Sequence, residues 1–268
     1  MLPSFLIIGA MKSGTTSLYE YLASHPDTVT PSTKKEPQYF RSDADFSKGL
    51  DWYGSLFKGK GSKAFEASTI YTRRHLWSNV PARIKSAIPN VRMIYLMRDP
   101  VDRAYSHYVH LYAKRLENAP FSEAIRKHSD YVDTGRYFYQ LQAYHEHFPP
   151  GQIHLLTLED LKRDPRAALS EISTFLGIAD TFDDSVLARR FNPAADRRTT
   201  EREIRLRDAA PHPLLASLVV RAMRPRRPVF ERPTMTPEDE AYLMDRLRPD
   251  VQQLREHTGR SFAEWRPY

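Results

Sequence analysis

The chain has 268 residues, with 40 Lys and Arg against 33 Asp and Glu, a formal net charge of +7, and no cysteine. This length allows one large domain with its own core, and the lack of cysteine excludes a disulfide framework and a thiolate metal site. Hydrophobic residues at 41% and charged residues at 27% argue against the disordered and fibrous classes. The positive charge fits an anionic ligand, but it fits a plain basic surface as well.

The apolar run nearest the start is Phe5 to Ile8, which has no basic stretch before it and is followed by Gly9. Such a run is too short for a signal peptide or a membrane span. We therefore expect a cytoplasmic protein without a membrane span. No internal repeat or low-complexity linker divides the chain, so a single domain over residues 1–268 is predicted.

Strand and helix patterns alternate along the chain. Short apolar runs rich in branched residues predict buried strands at Phe5 to Ile8, Val91 to Met97 and Ile153 to Leu156, with a weaker candidate at Lys63 to Ala67. Helical patterns cover Thr15 to Ser24, Pro81 to Ile88, Pro100 to Arg115, Phe121 to His128, Tyr137 to Phe148, the segment from Asp164-Pro165 to a glycine stop at Gly177, and Thr236 to His257. This order predicts an α/β protein with a P-loop-like three-layer fold, in which helices flank a central parallel sheet.

The loop after the first strand predicts an anion site. It reads Gly9-Ala10-Met11-Lys12-Ser13-Gly14-Thr15-Thr16-Ser17 and leads directly into a helix, so backbone N–H groups and the positive end of the helix dipole meet at one place. The spacing of Gly9 and Gly14 is that of a Walker A loop, yet Thr15 stands where that motif has its lysine. The lysine of this loop is Lys12, which lies in its middle. An ordinary strand-to-helix turn is the alternative.

A second polar group follows the strand that ends at Met97. Arg98-Asp99-Pro100 comes next, and Asp99 is a predicted N-cap with proline at the first helical position. Arg98 would then lie at the carboxyl end of a central strand, where open α/β sheets bind ligands. In the helix, Arg103, Ser106 and His110 follow steps of three and four and are predicted to share a face. Arg98 and Ser106 could together hold a second phosphate, although a surface ion pair and a solvated helix face remain open.

These two blocks together resemble the sulfotransferase family, which uses 3′-phosphoadenosine 5′-phosphosulfate (PAPS) as sulfuryl donor. The likeness is to the branch of the heparan sulfate N- and 3-O-sulfotransferases and their bacterial relatives, and it fades after about residue 190. It extends through further blocks: Lys35-Glu36-Pro37-Gln38-Tyr39-Phe40, Gly49-Leu50-Asp51-Trp52-Tyr53, Gly135-Arg136-Tyr137, Glu159-Asp160-Leu161 and Phe175-Leu176-Gly177.

The resemblance implies a role for each candidate residue. PAPS is the implied co-substrate, with no metal. The cradle for its 5′-phosphosulfate would be Lys12, Ser13, Gly14, Thr15, Thr16 and Ser17, and Arg98 with Ser106 would bind the 3′-phosphate. Lys12 would offset the charge that grows on the leaving phosphate, and Glu36 would be the base that takes the acceptor's proton. His110 is a third catalytic candidate, because one branch of the family has a histidine at this place.

Two departures bear on the acceptor. Heparan sulfate enzymes commonly carry Glu-Lys-[Ser/Thr]-Pro after the strand near residue 65, whereas this chain has Glu66-Ala67-Ser68-Thr69. Either another residue does the work of that lysine or the substrate differs. The family's cystine-bounded loop is also missing, and Arg197-Arg198 or the stretch from Arg221 to Arg227 are candidates to close over the nucleotide.

The sequence thus predicts a sulfotransferase that acts on a carbohydrate or small-molecule hydroxyl, and it does not indicate an oligomeric state. A P-loop kinase or NTPase is the first alternative, disfavoured by Thr15 and Arg98 at positions where it needs a lysine and a Mg²⁺-binding acid. A basic nucleic-acid-binding protein is the second, disfavoured because no basic-aromatic RNA-binding module is present.

Overall fold

A computed structural model describes residues 1–187 and 233–268, and its centre is a five-stranded sheet in which every neighbouring pair of strands is parallel. The strands are β1 (Phe5–Gly9), β2 (Thr28–Val29), β3 (Lys63–Glu66), β4 (Arg92–Met97) and β5 (Ile153–Thr157), in the spatial order β2-β3-β1-β4-β5. The four predicted strands are confirmed within a residue or two at each end. The two-residue strand β2 escaped prediction because it is too short to show a pattern.

Helices cover both faces of the sheet, as the three-layer prediction requires. On β1, Phe5 and Ile7 pack with the helices after β1 and β5, while Leu6 and Ile8 pack on the opposite side. The same alternation separates Ile94 from Tyr95 on β4. Because both faces of these strands are buried, Phe5 to Ile8 and Met93 to Met97 are apolar at consecutive positions rather than at every second one.

The helices of the described residues are α1 (Thr15–Ala23), α2 (Asp43–Phe46), α3 (Gly49–Ser55), α4 (Val80–Ala87), α5 (Pro100–Ala113), α6 (Phe121–Lys127), α7 (Asp130–Asp133), α8 (Tyr137–His145), α9 (Leu158–Arg163), α10 (Pro165–Leu176), α11 (Asp184–Leu187) and α12 (Pro237–Thr258). Short 3₁₀ turns cover Thr69–Thr72 and Pro150–Gln152. All seven predicted helices are present, and the additional ones have between four and seven residues.

Local capping explains why the predicted helix ends were accurate. The Asp164 side chain accepts the N–H of Ala167 at the start of α10, and Gly177 ends that helix in the left-handed conformation at φ 66°. Thr236 and Asp239 form a reciprocal capping box at the start of α12. These signals are read from neighbouring residues, so they need no knowledge of the fold.

The segment between the described ranges contains the predicted basic closing residues. Arg197-Arg198 and the stretch from Arg221 to Arg227 lie outside the described residues, and the single-domain boundary of 1–268 stays a prediction. Among the helices that are described, none is both long enough and apolar enough to cross a bilayer.

Candidate active site

The candidate site lies at the edge of the sheet where the parallel strands have their carboxyl ends. β1 leads into the loop from Gly9 to Gly14, and β4 leads into Arg98 and Asp99. β3 leads into the 3₁₀ turn of Thr69–Thr72, called the 3₁₀ turn below. The pairing of β1 with β4 is irregular between Ile7 and Gly9, so the chain leaves the sheet where the loop begins. Strand topology therefore brings together segments that are far apart in sequence, at the usual ligand edge of an open α/β sheet.

Two close approaches explain the glycines of the first loop. A Cβ atom on Gly9 would stand 1.9 Å from Oγ1 of Thr72 in the 3₁₀ turn. Gly14 has φ 89°, a left-handed conformation, and a Cβ there would stand 2.5 Å from Cδ1 of Leu158 at the start of α9. Both glycines thus let the loop pack against segments that follow other strands of the sheet.

The loop ends as an open helix N-terminus. Gly14 is the N-cap of α1 and has no side chain to accept the first N–H groups, and the first turn contains no acidic residue. Ser13 and Thr15 are buried, while Lys12 and Thr16 are half-buried, and Lys12 adopts the left-handed conformation at φ 72°. A half-buried ammonium beside uncapped N–H groups favours an anion at this place.

Glu36 is brought to this loop by Lys35. The Lys35 ammonium donates to Oγ1 of Thr16 over 3.2 Å and lies 3.9 Å from Oε1 of Glu36, so one cation contacts both the loop and the candidate base. Burial raises the pKa of Glu36, and the charge of Lys35 partly opposes that rise. The Glu36 side chain keeps 33% of its surface exposed, which leaves its carboxylate accessible to an acceptor.

Arg98 is fixed by its neighbours at the end of β4. Its guanidinium donates to Oδ2 of Asp102 over 3.0 Å, and its backbone carbonyl accepts the hydroxyl of Tyr137 over 2.7 Å. Burial alone would raise the pKa of Asp102, but Arg98 and Arg266 outweigh it and lower that pKa. With 22% of its side chain exposed, Arg98 can reach solvent and an anionic ligand.

Arg266 joins this group from the far end of the chain, and sequence reasoning missed it. It donates through Nη1 to Oδ1 of Asp99 over 2.6 Å and to Oδ1 of Asp102 over 3.0 Å, and through Nε to Glu240. Its backbone N–H donates to Oδ2 of Asp99 over 2.9 Å. Nothing local to Arg266 signals these contacts, because its partners lie 164 and 167 residues away.

One residue of the predicted α5 face is buried in the structure. Arg103 is fully buried and donates to the carbonyl of Tyr131 in α7. His107 is buried beside it, and burial together with the charge of Arg103 lowers the pKa of His107 to about 2. Ser106 and His110 are half-buried. Residue spacing does not show which part of a helix is covered, so the sequence did not indicate the contact of Arg103 with α7.

Two further residues lie near the candidate base. Ala67, which stands where heparan sulfate enzymes have a lysine, is buried, and its N–H donates to the carbonyl of Lys35 over 3.2 Å. Glu66, to which the sequence assigned no role, is fully buried and hydrogen-bonded to three hydroxyl groups. The described residues contain no cluster of three or more His, Asp or Glu side chains that could hold a metal ion.

Comparison with known proteins identifies the family. A profile described as the sulfotransferase domain matches residues 2–205. The human bifunctional heparan sulfate N-deacetylase/N-sulfotransferase 2 is 32% identical over 199 residues, which cover 66% of this chain and 22% of that protein. The mouse heparan sulfate glucosamine 3-O-sulfotransferase 3B1 is 32% identical over 194 residues, covering 68% of this chain and 48% of that protein. The chain thus matches less than half the length of these curated relatives.

Solved structures agree with that assignment. The sulfotransferase from Alicyclobacillus acidocaldarius superposes with a TM-score of 0.70 at 26% identity, covering 99% of both chains. A mouse sulfotransferase, SULT7A1, crystallised with 3′-phosphoadenosine 5′-phosphate (PAP), has a TM-score of 0.55 at 16% identity over 96% of this chain and 88% of that one, which shows a shared fold. From the extent of the profile match together with these relatives, we conclude that this chain belongs to the sulfotransferase family.

Proposed function

We propose that this chain transfers a sulfuryl group from PAPS to a hydroxyl group of a carbohydrate or small metabolite. The observation that carries the proposal is the contact of Lys35 with both Thr16 and Glu36, since it joins a general-base candidate to an anion-binding loop. Family membership supports PAPS as donor, and the PAP-bound structure with the same fold supports the nucleotide class.

The residues present fit a doubly phosphorylated nucleotide. The segment from Lys12 to Ser17 would hold the 5′-phosphosulfate through its uncapped N–H groups, its hydroxyls and one ammonium. Arg98 and Ser106 would hold the 3′-phosphate by charge and by a hydroxyl. Before the nucleotide binds, the ion pair with Asp102 keeps the Arg98 guanidinium oriented. This assignment needs no metal, since two cationic residues supply the positive charge.

PAPS, when bound, supplies the sulfuryl group, whose bond to the 5′-phosphate oxygen breaks as a bond to the acceptor oxygen forms. Lys12 offsets the negative charge that the leaving phosphate retains. Glu36 accepts the acceptor's proton at a carboxylate oxygen, and burial, which raises the pKa of Glu36, makes it a stronger base than an exposed glutamate. His110, one turn after Ser106 on α5, is proposed to assist the base or to contact the sulfuryl oxygens.

The acceptor class rests on the relatives, whose names specify heparan sulfate and its glucosamine. Ala67 argues against copying their substrate directly, because it replaces a lysine of those enzymes with a methyl group. We therefore restrict the proposal to an acceptor hydroxyl and test the class by experiment.

Calorimetric titration separates this function from the two alternatives. Binding of PAP in the presence of EDTA supports the proposal, whereas Mg²⁺-dependent binding of ATP without PAP binding would replace it with a kinase or NTPase. Binding to random-sequence DNA that weakens steeply with added salt, again without PAP binding, would favour a nucleic-acid-binding protein. Transfer of label from ³⁵S-PAPS across a panel of desulfated glycans, phenols and lipid alcohols then identifies the acceptor class.

A further inference from the structure

Glu66, the last residue of β3, is a buried acid to which the proposed mechanism gives no role. Its side chain is fully buried, and its carboxylate accepts three hydroxyl groups. Tyr53 donates to Oε1 over 2.9 Å, Tyr71 donates to the same oxygen over 2.6 Å, and Ser68 donates to Oε2. No lysine, arginine or histidine of the described ranges forms an ion pair with it. Burying a carboxylate without a counter-ion is costly, so this arrangement asks for an explanation.

Two of the three hydroxyls also accept hydrogen bonds from the chain segment that directly follows Glu36. The oxygen of Ser68 accepts the backbone N–H of Gln38 over 3.0 Å, and the oxygen of Tyr71 accepts the N–H of Phe40 over 3.3 Å. A hydroxyl has one proton, which both groups give to Glu66, so only their lone pairs remain for the N–H groups. The carboxylate therefore orients both hydroxyls, so that a lone pair of each faces a backbone N–H of this segment.

The segment needs stabilising contacts because Gln38 has φ 60°, a left-handed conformation that costs a non-glycine residue about 1–2 kcal/mol. Burial raises the pKa of Glu36, and Gln38 and Thr69, the residue after Ser68, are among the neighbours that oppose this rise. A shift of Gln38 would consequently move the carboxylate of the candidate base. Conformations of this kind persist only where surrounding contacts enforce them.

We propose that ionised Glu66 is a positioning residue, which acts through Ser68 and Tyr71 to hold the segment after Glu36 and so to aim that base at the acceptor. This inference rests on the proposed function, because it takes Glu36 to be the base. Ala67 adds a backbone contact to Lys35, but that contact does not depend on the charge of Glu66.

The orientation of these hydroxyls depends on whether Glu66 is ionised, so their contacts with the segment are sensitive to pH. A Glu66 protonated at Oε2 would donate to Ser68, whose own proton would then turn away from the carboxyl, and this rotation would redirect the lone pair that accepts the N–H of Gln38. Among the described residues, the titratable groups coupled to the carboxylate are one acid and four phenols: Glu36, Tyr19, Tyr53, Tyr71 and Tyr144. Burial raises the pKa of all four phenols, so they are neutral near pH 7, and of these groups Glu36 is the one that carries a charge, with Lys35 3.9 Å from it.

Burial raises the pKa of Glu66 to about 7, while its three hydroxyl donors oppose the rise and Glu36 adds to it. The positioning role therefore predicts a turnover that increases as the pH rises through about 7. Replacing Glu66 by glutamine should remove this limb, since an amide does not titrate. The limb that belongs to Glu36 should remain at lower pH.

The test compares Glu66→Gln with Tyr53→Phe. Both changes remove a hydrogen-bonding partner in the same buried cluster, but the Tyr53 hydroxyl accepts no backbone N–H from the described residues, so it serves as the matched control. Kinetics use ³⁵S-PAPS with the best acceptor from the panel, PAP affinity is measured by calorimetry, and amide exchange of Gln38 and Phe40 is followed by NMR. We expect Glu66→Gln to lower kcat about tenfold or more with a PAP Kd within about twofold of wild type, and Tyr53→Phe to change kcat by less than about threefold.

Amide exchange measures the hydrogen bonds of Gln38 and Phe40 directly and so does not depend on catalysis. Glu66→Gln should speed exchange at both Gln38 and Phe40 by about tenfold, whereas Ser68→Ala should affect Gln38 and Tyr71→Phe should affect Phe40. These two variants also carry the test if Glu66→Gln does not fold.

An unchanged kcat and pH profile in Glu66→Gln, or unchanged exchange at both amides, would overturn the positioning role and leave the sulfotransferase proposal standing. Failure of the wild-type chain to bind PAP would instead overturn the sulfotransferase proposal, and with it the catalytic part of this inference.

Discussion

Replacing Arg266 by alanine should destabilise the protein and weaken binding at the proposed 3′-phosphate site. Asp99 is 5% exposed, so losing its ion pair at 2.6 Å resembles the breaking of a buried pair, which costs about 3–5 kcal/mol. Asp99 keeps the N–H of Asp102 and the backbone N–H of residue 266, both at 2.9 Å, and these remaining partners reduce the loss. The contacts to half-exposed Asp102 and Glu240 add less than about 1 kcal/mol. We expect the free energy of unfolding to fall by about 2–3 kcal/mol.

Without the Arg266 side chain, Asp102 keeps Arg98 as its arginine partner. A tighter Arg98–Asp102 pair competes with a bound phosphate, so the Kd for PAP should rise about three- to tenfold. Urea unfolding followed by tryptophan fluorescence measures the stability, and calorimetry measures the affinity.

Arg163→Ala is the matched control for this substitution. Arg163 also contacts two acids, Asp160 and Glu264, but its side chain is 61% exposed, so its loss should lower the stability far less than the loss of Arg266. If Arg266→Ala stays within about 0.5 kcal/mol of wild type, or matches Arg163→Ala, then burial of Asp99 does not give this ion pair its strength, and the reasoning fails.

Three further substitutions test the first loop and the base. Lys12→Ala should abolish transfer while the unfolding midpoint in urea stays near that of wild type, because a half-buried loop lysine provides charge rather than packing; near-normal turnover would disprove its role. Glu36→Gln should lower kcat far more than it weakens PAP binding, and an equal loss of both would indicate a structural role instead. Gly9→Ala should lower the unfolding free energy by about 1–3 kcal/mol, since its Cβ would overlap Thr72, whereas Gly151→Ala, with open space around its Cβ, should have little effect in the same urea titration.

The strands and the main helices were predictable because their signals are local. The predicted strands contain runs of consecutive apolar residues, and α10 and α12 carry capping residues at both ends. The two-residue strand β2 and the four-residue helix α7 were missed because they are too short to show a period. Their positions depend on the packing of longer elements around them.

Within the site, the accuracy of prediction follows the same division. The loop around Lys12 and the residue Arg98 each follow a strand directly, so a strand prediction also locates them at the ligand edge of the sheet. The burial of Arg103 was not predicted, because helical spacing gives relative angles on α5 without showing which residues are covered. Its burial results from contact with α7, and contacts of this kind are not encoded in a local pattern.

From the sequence alone, the alternation of apolar runs and helical patterns determined that this protein has an α/β fold, and the loop from Gly9 to Gly14 together with Arg98 predicted an anion site at the ligand edge of its sheet. Only the tertiary structure decided how that site is held. Arg266 reaches Asp99 across 167 residues, and three hydroxyls converge on the buried Glu66 from α3, the 3₁₀ turn and the residue before it. Periodicity and capping are properties of neighbouring residues, whereas these contacts arise when folding brings distant polar groups together in a space that excludes water.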